Sequence, residues 1–89
     1  MIEENITIIN KLGMHARAAA RFVTVASQFN ADIQVARNGR TVNGKSIMGL
    51  MMLAAAKGTE INVVVNGDDE QQAFDQIKTL INDYFGEGE

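Results

Sequence analysis

The chain reads as an α+β domain, an open-faced β-sandwich whose four-stranded antiparallel sheet carries three helices on one face. Three observations lead there. Hydrophobic periods of about 2 and about 3.6 residues alternate along the chain in the order β-α-β-β-α-β-α. Asn38-Gly39, between two short alternating runs, is the strongest short hairpin signal. The 89 residues are 46% hydrophobic, which suits one core, so residues 1–89 are expected to form a single domain.

Asn5 to Ile9 is rich in β-branched residues and reads as the first strand. Lys11 to Met14 is a loop that bends at Gly13. From Ala16 to Asn30 the apolar positions Ala19, Phe22, Val23, Ala26 and Phe29 follow helical spacing. Asp32 to Arg37 alternates, and the hairpin returns as a very short strand, Arg40 to Val42. Asn43-Gly44 turns the chain again. Ser46 then precedes the apolar run Ile47 to Ala56, a second helix closed by Lys57-Gly58. Glu60 to Asn66 alternates around Ile61, Val63 and Val65. Asp68 and Gln71 form a capping pair for the last helix, whose stripe is Ala73, Phe74, Ile77, Leu80, Ile81 and Tyr84. The tail beyond Phe85 is expected to fray.

Two sheet arrangements suit this order. A ferredoxin-like sheet would place the third strand centrally, but that strand is short, lies between two Asn-Gly turns and carries Arg40, so it belongs at an edge. The fourth strand, with Ile61-Asn62-Val63-Val64-Val65, is the better central strand. The expected order is 1-4-2-3.

Composition narrows the function. Net charge −3, with scattered basic residues, argues against a nucleic-acid partner. No apolar run approaches the length of a membrane span, and Met1-Ile2-Glu3-Glu4 is too acidic to open a signal peptide, so a cytoplasmic protein without membrane insertion is expected. Without cysteine, and with His15 as the single histidine, neither a disulfide framework nor a metal site is expected. Lys11, Arg17, Arg21, Arg37, Arg40 and Lys45 lie in the first half, which suits a local anionic ligand or an acidic partner.

His15 sits in Gly13-Met14-His15-Ala16-Arg17, where extended chain gives way to helix. Amides of a first helical turn lack intrahelical partners and carry partial positive charge, which opposes a cationic ring and attracts an anion. Arg17 adds a fixed cation for phosphate oxygens. A lone histidine near a helix start reads more simply as a solvated cap. Its flanks decide between the two.

Those flanks, Asn10-Lys11-Leu12-Gly13-Met14-His15-Ala16-Arg17-Ala18-Ala19, resemble the active-site segment of the HPr family of the bacterial sugar phosphotransferase system. A second run, from Val42-Asn43-Gly44-Lys45-Ser46-Ile47-Met48-Gly49 to Lys57-Gly58, resembles that family's regulatory segment. The resemblance implies a phosphocarrier, not an enzyme with its own turnover. His15 would accept a phosphoryl group on Nδ1 from phosphorylated enzyme I and pass it to a histidine of an enzyme IIA, with Arg17 stabilising the phosphate. It implies the same sheet order, 1-4-2-3. No cofactor is called for, and the carrier is expected to act as a monomer. One departure is Ala18, where most members have proline; alanine keeps the helix and adds an N–H near the phosphate.

Residues 39–46, Gly-Arg-Thr-Val-Asn-Gly-Lys-Ser, also satisfy the pattern of a nucleotide-binding phosphate loop. The context argues against it, because Gly39 belongs to a hairpin and Thr41-Val42 to a strand. Ser46 reads first as a helix N-cap, and the resemblance adds phosphorylation by an HPr kinase/phosphorylase where one exists. Leu50 and Leu53 are expected in the core, leaving Ile47, Met48 and Met51 for partner docking beside Lys45. The alternative is a regulatory binding module of a nitrogen-type branch of the same system.

Overall fold

The computed structural model describes residues 1–89. Strands β1 (Ile2–Thr7), β2 (Asp32–Arg37), β3 (Arg40–Asn43) and β4 (Glu60–Asn66) form one antiparallel sheet of order β1-β4-β2-β3. Helices α1 (Ala16–Ala26), α2 (Ile47–Met52) and α3 (Glu70–Asn82) join it, and a short 3-10 turn, Tyr84–Gly86, follows α3. The order β-α-β-β-α-β-α and the sheet order agree with the sequence reading.

Register explains the core. Ile6 pairs with Ile61, Ile33 with Val65 and Val35 with Val63, and all six side chains are buried on one face. Paired residues project to the same side, so a single apolar layer spans three strands. On the opposite face the paired Asn5 and Asn62 bond through their side chains at 2.9 Å. Helix α1 buries Ala18, Ala19, Phe22 and Ala26; its small alanines let the backbone approach its neighbours closely. Ala73, Phe74, Ile77 and Ile81 of α3 complete the core with Leu50 and Leu53.

Boundaries differ from the sequence expectation in physically readable ways. The first strand starts at Ile2 rather than Asn5, because Ile2, Glu3 and Glu4 pair with Val65, Val64 and Val63. An edge strand tolerates those charges, and Glu4 reaches Lys78 of α3 at 3.0 Å. Helix α1 ends at Ala26, and the N–H groups of Gln28 and Phe29 turn back to Val25 and Ala26. Helix α2 stops at Met52 instead of reaching Ala56. Ala54 is left-handed at φ 51°, and the guanidinium of Arg37 takes the carbonyls of Leu53 (2.8 Å) and Ala54 (3.2 Å).

The expected Asp68–Gln71 capping pair does not form. Asp69 occupies the N-cap of α3, yet its carboxylate accepts the N–H groups of Asn30 (2.8 Å) and Ala31 (2.9 Å). Glu70 reaches back to the N–H of Gly67 at 3.2 Å, and Gln71 bonds Asp75 instead. Tyr84 leaves the expected stripe and is 39% exposed, while Phe85 is fully buried. Both residues are left-handed, at φ 58° and 53°, so the chain doubles back after α3. The tail is therefore not frayed; it folds onto the start of α1.

Candidate functional site

The approach to His15 is built from Asn10 to Met14. Gly13 adopts φ 70°, and a Cβ there would lie 2.5 Å from the carbonyl oxygen of Ala55 and 2.9 Å from Cα of Ala56. Only glycine fits so close to another backbone. Met14 donates its N–H to the same Ala55 carbonyl at 2.8 Å and buries its side chain. The early end of α2 is what brings that carbonyl into reach. Asn10, fully buried, donates through Nδ2 to the Gly13 carbonyl (2.8 Å) and to Oε1 of Glu87 (2.9 Å). Its Oδ1 is left without a partner, at a cost of about 1–3 kcal/mol.

His15 is the N-cap of α1. Its backbone is extended at φ −80° and ψ 179°, and its carbonyl accepts the N–H of Ala19 at 2.8 Å. Nδ1 accepts the N–H of Arg17 at 3.3 Å, so this nitrogen presents a lone pair at the helix start. Nε2 lies 2.5 Å from Oε2 of Glu87, which makes it the protonated nitrogen. The His15 side chain is 27% exposed and that of Glu87 only 10%.

Burial works to raise the Glu87 pKa. The hydrogen bonds from Asn10 and His15, with the charges of His15 and Arg21, outweigh it and hold Glu87 below the ordinary carboxylate value. The guanidinium of Arg21 also donates to the carbonyl of Phe85, which pins the reversed tail. The N–H of Lys11 donates to the carbonyl of Glu89 at 3.0 Å. A cleft of about 280 Å³ is lined by Lys11, Leu12, Arg17, Arg21, Gly86, Glu89 and Glu87, the partner of the ring. Arg17 is exposed at this cleft and takes part in none of the ion pairs. Nδ1 thus faces the N–H of Arg17 in the first turn, and an anion entering the cleft meets a guanidinium free of ion pairs.

Ser46 is the N-cap of α2, its Oγ accepting the N–H of Gly49 at 3.1 Å. Ile47, Met48 and Met51 are exposed by 41%, 75% and 43%. Leu12 and Met52 are exposed as well. The ammonium of Lys45 donates to the carbonyl of Phe29 at 2.8 Å, past the opposite end of α1 from His15. The phosphate-loop pattern is dispersed, with Gly39 in the hairpin turn, Thr41 and Val42 in β3, and Gly44 packed on Ile33. No three His, Cys, Asp or Glu side chains cluster as metal ligands. Asn10, Arg21 and Glu87 are site residues that sequence reasoning missed, the last because an acidic Gly-Glu-Gly-Glu tail looks merely solvated.

Fold and geometry together define a class: a small open-faced sandwich that presents one histidine at a helix start, beside a cationic cleft. The family model described as the phosphorylation site of the HPr component of the phosphotransferase system matches residues 2–83. The chain is 57% identical to phosphocarrier protein HPr of Neisseria meningitidis serogroup A over 89 residues, the whole of both chains. The crystal structure of HPr from Thermoanaerobacter tengcongensis superposes with a TM-score of 0.94 at 45% identity, covering 98% of each chain. The HPr-like protein Crh of Bacillus subtilis is 39% identical over 83 residues, 93% of this chain and 98% of its own. The chain belongs to the HPr family, the phosphocarrier proteins of the phosphotransferase system.

Proposed function

We propose that this chain relays a phosphoryl group through His15, from phosphorylated enzyme I to a histidine of an enzyme IIA. The observation that carries the proposal is Nδ1 at the N-cap of α1, accepting the N–H of Arg17. In the first transfer the Nδ1 lone pair forms the new N–P bond while the donor's N–P electron pair returns to the donor ring. First-turn amides and Arg17 then hold the phosphoryl oxygens. Ala18, in place of proline, keeps an N–H that adds to this set. Onward transfer reverses the step at the acceptor.

Ile47, Met48 and Met51 serve as the docking face, an adaptable apolar patch that engages donor and acceptor in turn. Ser46 is the regulatory phosphorylation site, addressed by an HPr kinase/phosphorylase where one is present. The setting is cytoplasmic; no helix is long and apolar enough to cross a membrane. Incubation with enzyme I and phosphoenolpyruvate should place an acid-labile phosphate on the wild-type chain and none on His15→Ala. Undiminished labelling of that variant overturns the proposal. A second reading, a regulatory module that signals through its phosphorylation state, is favoured by the similarity to Crh. Transfer to enzyme IIA domains separates the two, since a purely regulatory module donates to none.

A further inference from the structure

We infer that Glu87 is a positioning residue for His15: held by the folded-back tail, its carboxylate keeps the ring proton on Nε2 and so turns the Nδ1 lone pair towards the phosphoryl group. The inference rests on the relay reading of His15. Four contacts place this carboxylate without help from the ring. Phe85 is fully buried, Arg21 donates to the Phe85 carbonyl, Lys11 donates to the Glu89 carbonyl, and the buried Asn10 donates to Oε1. The orientation of the Asn10 amide is set by its partners, because both neighbours, the Gly13 carbonyl and Glu87, are acceptors. Only Oε2 is left to face His15, at 2.5 Å from Nε2.

The proton balance gives Glu87 its role in both directions of transfer. When Nδ1 forms its bond to phosphorus, Nε2 keeps its proton and the ring becomes cationic. Glu87 neutralises that charge from the side away from the phosphate. When the N–P bond breaks towards the next acceptor, its electron pair returns to Nδ1. The group that leaves is then neutral imidazole, with Nε2–H intact, rather than imidazolate. A carboxylate at Nε2 thus stabilises the phosphorylated form without blocking Nδ1. The negative charge it brings to the cleft is faced by Lys11, Arg17 and Arg21, and joined by Glu89.

Glu87→Gln in the full chain tests this. Glutamine keeps the shape, but with its oxygen taken by the Asn10 amide it turns an NH2 group towards His15, so it no longer favours Nε2–H. Nitrogen-15 spectra of the neutral His15 ring should show one tautomer in the wild type and a mixture in Glu87→Gln. The equilibrium of phosphoryl transfer from enzyme I should move about tenfold against the variant, as expected for losing a charge-assisted hydrogen bond. Glu87→Asp should recover part of both effects. Identical tautomers and equal transfer in wild type and Glu87→Gln overturn the assignment, and so does a gain in phosphorylation, which would make the tail inhibitory. Failure of the wild type itself to take phosphate on His15 overturns the relay reading instead, and the tautomer spectra still report on Glu87.

Discussion

A single backbone angle sets where the His15 ring stands. Gly13 turns the chain so closely against Ala55 and Ala56 that the next two residues are committed, Met14 to the core and His15 to the cap of α1. Gly13→Ala adds a methyl 2.5 Å from a carbonyl oxygen at a left-handed φ. It should cost about 1–3 kcal/mol in denaturant unfolding. The N-cap positions of His15 and Ser46, and Arg17 in the first turn of α1, were legible in the sequence because each is set within its own turn of chain. Asn10, Arg21 and Glu87 were not, because their decisive partners are 64 to 77 positions away. No local pattern announces a bond between the buried end of one segment and an acidic tail.

Elements were legible where both faces follow one period. The bounds of β2 and β4 agree with the alternation read from Asp32 to Arg37 and from Glu60 to Asn66. The ends of α1 and α2 were overestimated because apolar residues continue past both, and tertiary bonds stop them: Arg37 on the carbonyls after α2, Asp69 on the amides after α1. The Asp69 carboxyl is held below its ordinary value of 3.8, first by the N–H of Asn30, against some desolvation, and further by Ala31 and Lys45. A depressed folded-state pKa stabilises the fold above the unfolded value, and that contribution is lost as pH falls through the folded one. Asp69→Asn should therefore lower the melting temperature at neutral pH. The gap to the wild type should close below about pH 3.8. A gap that persists in acid would show that the carboxylate charge is not what ties the α1–β2 connection to the start of α3.

Across the whole molecule, the two ends of α1 carry different tasks. One end presents His15 and the cationic cleft; the other is fastened by Lys45 and Asp69. The sheet order was legible because β3 is short, lies between two Asn-Gly turns and carries Arg40, while β4 has the apolar run that suits the centre. Exposed Met48 belongs to the surface and not to the core, at 75% exposure. Met48→Asp should weaken enzyme I binding about tenfold or more while leaving the melting temperature nearly unchanged, since a charge in a desolvated contact costs roughly 1.4 kcal/mol or more. Isothermal titration against enzyme I, beside a thermal melt, checks both halves. The folded-back terminus also has a practical side. Anything fused after Glu89 would emerge at the rim of the cleft that Arg17 and Glu87 line, so a purification tag or fluorophore there would crowd the surroundings of His15. Met1, paired with Glu70 at the start of α3, is the better handle for labelling or immobilisation.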